Sequence, residues 1–207
     1  MKKKLSSLLT VLLFLCLMGC RLFIKPEPTV TAFCDALKAL DLTTASTCFV
    51  SGESAIQNPY TEENIANQDV FTEQTVGYLE NCAKEMTYVL GEAGISGNTA
   101  VIPVTFTYTD AGPVLLDALQ EYLTQAFELA FSGGTADEIE ALFGTVFAEK
   151  LESAEMETAT VTIEFECVKT DDAWKMQALS DEAQYEISNM LSCNLLKTVE
   201  AYEEISD

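Results

Sequence analysis

From Thr29 onward, apolar and polar residues alternate with two different periods, and the period assigns the elements. Val30, Phe33, Ala36, Leu37 and Leu40 recur at three- and four-residue intervals, which places them on one face of an amphipathic helix that Thr29 can cap. Asp41 can cap a second, shorter helix reaching about Val50. Residues 51 to 69 hold Gly52, Pro59 and many Ser, Asn, Gln and Glu side chains, and read mainly as loop with a possible helical turn from Thr61. A third helix is expected from about Val70 to Lys84, with Val76, Leu79, Cys82 and Met86 inward.

At Met86 the period falls to two. Met86, Tyr88 and Leu90 alternate, Gly91, Gly94, Gly97 and Asn98 supply turns, and Ile102, Val104, Phe106 and Tyr108 alternate with Pro103, Thr105 and Thr107. Pro103 lacks a ladder donor, so one side of its strand should be an edge or a bulge. The helical period returns at about 109–156. Asp110, Gly112 and Pro113 start a helix with a stripe of Leu116, Leu119, Leu123, Phe127 and Ala130, and Gly133-Gly134 stops it. Thr135 to Glu138 has the capping-box pattern, opening a helix that carries Ile139, Leu142, Phe143 and Phe147. This hairpin is expected to pack onto the sheet, with a partner-binding helix pair as the alternative.

The clearest strand follows. Val161, Ile163, Phe165 and Cys167 point one way and Thr160, Thr162, Glu164 and Glu166 the other; after a turn at Thr170 to Asp172, Trp174, Met176 and Ala178 continue the inward face. Lys175 should lie near Glu164 or Glu166. Ser180-Asp181-Glu182 starts a helix with Tyr185, Ile187 and Leu191, and Leu195 to Ile205 forms another. The fold class is therefore α+β: N-terminal helices on a curved antiparallel sheet, with a helical hairpin between strands. Residues 29–207 are expected to form one domain.

The residues before it look different. Lys2, Lys3 and Lys4 precede an almost uninterrupted apolar run from Leu5 to Leu17, and Gly19 precedes Cys20, which marks a secretory signal over residues 1–19. Leu5 to Gly19 is 15 residues, short of the roughly 20 a membrane span needs. Cys16 follows Leu15, whereas Cys20 follows the small Gly19, so Cys20 fits the modified position of a lipobox. That motif resembles the signals of bacterial lipoproteins, with Met18 departing from the small residue usual there. Cleavage between Gly19 and Cys20 would leave a thioether-linked diacylglyceryl group and an N-acyl chain such as palmitate, the two chains that stable anchoring requires. An ordinary cleaved signal and a retained anchor are the competing readings. Residues 20–28, with Pro26 and Pro28, would then be a tether holding the chain at the extracytoplasmic face of the cell membrane.

Charge narrows the partners. Losing the leader takes Lys and Arg from 11 to 8 against 33 Asp and Glu, a net −25. Nucleic acid is excluded as a partner, because its phosphates must be neutralised by Lys and Arg. A solvating surface is the simplest meaning of the acidity, and a docking face for a cationic partner the functional one. The seven cysteines, with Cys16 in the leader and Cys20 just after it, show no CxxC spacing, and there is no histidine, so neither a metal site nor a cofactor site is expected. Cys34 and Cys48, on neighbouring helices, are the disulfide candidates, with buried thiols the alternative. Without histidine, Ser-His-Asp and Cys-His devices are ruled out.

The helix pair at Phe33 to Asp41 and Ala45 to Phe49, the strand with Gly97-Asn-Thr-Ala-Val101 and the hairpin ending Asp172-Ala-Trp-Lys-Met176 resemble lipoproteins of Gram-positive bacteria with domains of unknown function. That group is similar to the nuclear transport factor 2-like fold, the cystatin and ketosteroid isomerase-like cone of helices on a curved sheet. The resemblance, over about residues 29–180, implies a pocket at the mouth of the cone, and Phe106, Tyr108, Phe165, Trp174 and Met176 are its candidate lining, with packing of the same side chains into the core as the competing reading. It also implies that Asp35, Tyr88 and Tyr108 are the groups for lyase or isomerase chemistry, if there is any. The expected function is non-catalytic: a lipid-anchored domain that binds a protein or peptide partner at the cell surface. The alternatives are a small-molecule binder or a lyase or isomerase.

Overall fold

A computed structural model describes residues 25–52, 56, 73–171 and 173–206. The expected leader, the expected lipobox at Gly19 and Cys20, and all but positions 51, 52 and 56 of the expected loop at 51–69 lie outside these residues. Helix α1 (Glu27–Lys38) has Pro26, three residues before Thr29, at its N-cap position and Pro28 in its first turn, where a missing N–H costs nothing. Thr29 instead donates its hydroxyl to the Trp174 carbonyl at 2.9 Å and ties α1 to the sheet. Leu40 turns the chain at φ 55°, and Asp41 caps α2 (Leu42–Ser46) by accepting from the Thr44 amide at 2.9 Å. Two hydrogen bonds from Thr44 hold the Asp41 carboxyl below its ordinary value. This helix is shorter than the periodicity suggests, because Phe49 leaves it to bridge Met176: the Val50 amide donates to the Met176 carbonyl, and the Met176 amide to that of Cys48.

Helix α3 (Glu73–Glu85) leads into β1 (Thr87–Leu90), β2 (Gly94–Ser96) and β3 (Thr99–Asp110). The sheet is antiparallel in the order β1-β3-β4-β5, with β2 on the same side of β3 as β1, and the described helices make the molecule mixed α+β. β1 pairs with residues 104–107 of β3 and β2 with residues 99–101, so Pro103 stands at the gap between the two short strands. The proline that breaks a ladder sits where the ladder is already interrupted. Gly91 turns there, its amide donating to the Pro103 carbonyl at 2.7 Å, and a Cβ on it would meet the proline ring at 2.8 Å. On its other side β3 pairs with β4 (Glu157–Lys169) over the full run from Thr99↔Val168 to Asp110↔Glu157. β5 (Trp174–Met176) completes the sheet.

Alternation along β3 and β4 sends Ile102, Val104, Phe106, Ile163, Phe165 and Cys167 beneath α1, α2 and the later helix α6 (Asp181–Leu191). Phe33 meets Phe49 and Phe165 edge-on at 5.4 and 5.3 Å, an arrangement that adds to burial because ring edges and faces carry opposite partial charge. The opposite face carries Thr105 and Thr162, whose hydroxyls are 2.9 Å apart, with Glu164 and Glu166 exposed. Lys175 does not reach those carboxylates. Its ammonium donates to the Thr47 carbonyl at 2.5 Å, because register places it opposite Val168 beside the α2 turn.

Between β3 and β4 run α4 (Gly112–Phe131) and α5 (Ala136–Ser153), an antiparallel pair turned by Gly133 at φ 89°. The Thr135 and Glu138 capping box forms as the sequence spells it. The pair does not pack onto the sheet. Val114, Leu115, Ala118, Val146, Phe147 and Leu151 form a second core with Leu79 and Cys82 of α3 and with Cys193 and Leu195 at the start of α7 (Leu195–Ser206). Ala111, at the end of β3, lies in this second core, so β3 joins the two.

Candidate interaction site

Helix α4 is apolar on two sides. Val114, Leu115 and Ala118 face the second core, while Leu116, Leu123, Phe127 and Phe131 recur on another face. That second stripe, which the sequence pattern takes as the buried one, is the face turned to solvent: Phe127 is 65% and Phe131 91% exposed. Helix α7 lies beside it and contributes Tyr202, 47% exposed. Together they form a groove of about 350 Å³ lined by Leu116, Leu119, Leu123 and Phe127, with Tyr202 opposite and Gln120 and Thr124 at the margin. Scattered single apolar residues on a surface are ordinary, but a continuous stripe over four turns with a facing aromatic is a large apolar area to leave in solvent.

Among the described side chains, the two helices around the groove hold Asp117, Glu121, Glu128, Glu200 and Glu204 against one lysine, Lys197. Lys150 of α5 reaches Asp117 at 2.7 Å, and this contact raises the lysine above its usual value. Tyr185 donates to Glu200 at 2.5 Å, and losing that bond on ionisation holds the phenol up at about 12. The groove is therefore apolar, with the neutral Gln120 and Thr124 at its margin, and lies between two helices that carry an excess of carboxylates.

Phe106, Tyr108, Phe165, Trp174 and Met176 stand elsewhere, in the sheet core, each no more than 5% exposed. Phe106 meets Phe165 at 6.3 Å and Tyr88 at 6.1 Å. Asp35 and Tyr88 do come together: the Tyr88 hydroxyl donates to Asp35 at 2.6 Å, and burial, with the carboxylate beside it, pushes the phenol up. Asp35 is on the exposed side of α1, so the pair sits at the surface. Tyr108 is engaged separately, 3.5 Å from the Asn189 amide, and burial raises its phenol too. The three groups named for lyase chemistry are thus split between two places.

Cys34 and Cys48 are thiols in the sheet core; burial raises both, with the neighbouring Asp35 and Cys48 adding to the rise at Cys34. Among the described residues, no group of three or more thiols and carboxylates is arranged to hold a metal ion, and no helix is long and apolar enough to cross a membrane.

No protein family matches the chain, and no curated protein matches it. A solved structure is similar to it: the "putative lipoprotein (ycdA)" of Bacillus subtilis, at 16% identity and a TM-score of 0.41 over 73% of this chain. The match takes in 45% of that protein, so this chain spans less than half its length. The groove had one signal in the sequence, the excess of apolar residues around α4, which no single buried face can absorb.

Proposed function

We propose that the protein is a lipid-anchored extracytoplasmic domain that binds a protein partner through the groove between α4 and α7. The observation that carries this reading is the apolar stripe from Leu116 to Phe131, left in solvent beside Tyr202 on an acidic molecule. Its floor suits leucine- or phenylalanine-sized anchors, and the excess of carboxylates on the two helices beside it suits a cationic segment. An amphipathic helix with basic flanks supplies both. A second copy of the chain would bring one acidic helix pair against another and is disfavoured. The anchor rests on Gly19-Cys20 after the apolar leader, and kinship with the nuclear transport factor 2-like lipoproteins agrees with α1 and α2 packed against an antiparallel sheet.

A photo-crosslinking amino acid at position 127, tested in cells beside one at position 160 on the bare sheet face, decides the binding claim. Position 127 should give a discrete adduct that disappears with Leu123→Glu, and position 160 none. Equal labelling from both positions would remove the groove as the site. Cys20→Ser tests the anchor: the protein should move from the membrane fraction to the medium, and its N-terminal peptide should lose the mass of the acyl chains.

A further inference from the structure

The five cysteines of the described chain divide between the two cores. Cys34, Cys48 and Cys167 belong to the sheet core, whereas Cys82 and Cys193 belong to the helical one. Cys82 stands on α3. Cys193 follows α6 in a left-handed turn at φ 54°, with Asn194 next at φ 68°, and its carbonyl accepts the Ala111 amide at 2.9 Å. That turn aims the Cys193 sulfur at α3, 3.6 Å from the carbonyl of Leu79, one residue short of a helical turn before Cys82.

We infer that Cys82 and Cys193 are a redox-active pair that closes to a disulfide, fastening α3 to the joint between α6 and α7. Both side chains are buried in the same cluster, and the Cys193 sulfur sits 3.6 Å from the Leu79 carbonyl on the stretch of α3 that carries Cys82; Cys193, Tyr78 and Thr109 are the side chains whose hydrogen bonding acts on the Cys82 sulfur. These donors favour the thiolate, so Cys82 is held below the usual thiol value despite its burial. The thiols of the sheet core are raised instead, and so are poor nucleophiles. Closure needs a two-electron oxidant of the small-disulfide class. The Cys82 thiolate attacks one sulfur of that disulfide and releases its partner as a thiolate. The Cys193 thiolate, having given up its proton to solvent, then attacks the mixed disulfide at Cys82 and expels the second thiolate. One disulfide forms as the oxidant's is reduced to two thiols. Both sulfurs lie in one buried cluster, and closure brings them to about 2.05 Å.

Oxidised glutathione is the probe, applied to the purified chain. Digestion with trypsin and Glu-C separates all five cysteines. Mass spectrometry should then find Cys82 linked to Cys193, with Cys34, Cys48 and Cys167 alkylated as thiols. Reduction should lower the Tm of the oxidised protein by roughly 5–15 °C and leave that of Cys193→Ser unmoved. Alkylation at both Cys82 and Cys193 after oxidation would overturn the inference, as would a stable glutathione adduct at Cys82 or a link from either residue to another cysteine.

Discussion

Asn189 is fully buried and uses both ends of its amide. Its Nδ2 donates to Asn194 Oδ1 at 2.8 Å, and its Oδ1 accepts the Lys197 amide at 3.1 Å. Asn194 passes the connection on, donating to Asp110 at 2.9 Å, and Asp110 accepts the Gly112 amide at 3.0 Å. One side chain thereby fixes α7 against the end of β3 and the start of α4. Asn189→Ala strands these partners in a dry place and should cost about 2–4 kcal/mol in urea unfolding, more than a surface substitution by far. Nothing in the sequence marks Asn189, because its partners are distant in the chain. Phe33, in contrast, was legible from helical spacing alone, and Phe33→Ala should cost about 3–5 kcal/mol by the same measurement through the cavity it leaves.

Elements were legible wherever local chemistry decides them. Thr135 and Glu138 specify their own helix start, accepting each other's backbone amides at 3.3 and 2.8 Å. Those bonds hold the Glu138 carboxyl below its usual 4.5, so its contribution to stability is present above that pH and is lost as pH falls through the lower folded value. Thr135→Ala should cost about 1 kcal/mol and move the Glu138 carboxyl midpoint, read by ¹³C NMR, up toward 4.5. Helix α4 shows where local pattern fails. Its period reveals two apolar stripes, and choosing the buried one needs the positions of α3 and α7. For the same reason the sequence placed Lys175 beside the β4 glutamates, when the bridge from Phe49 to Met176 brings Thr47 nearer. The short β2 hid within a glycine-rich turn because three residues are too few for a period to show.

At the scale of the molecule, charge sets the behaviour in solution. With 33 acidic residues against 11 basic and no histidine, the folded chain repels itself more strongly than an expanded one. Salt should therefore stabilise it: the Tm should rise as NaCl increases from about 10 mM to 150 mM, where the Debye length is about 8 Å. A flat response would mean that the acidic groups are locally compensated. The fold class was legible here, but the separation into a sheet core and a helical core was not, since it depends on where the α4–α5 pair docks.

β3 belongs to both cores, and this sets how the molecule comes apart. A strand held along its whole length by β4, and continuing into Ala111, cannot be released from one side while the other stays closed. Calorimetry should record one endotherm, and the slowest amides to exchange with deuterium should cluster at Val104 to Thr107, in the stretch of β3 paired on both sides.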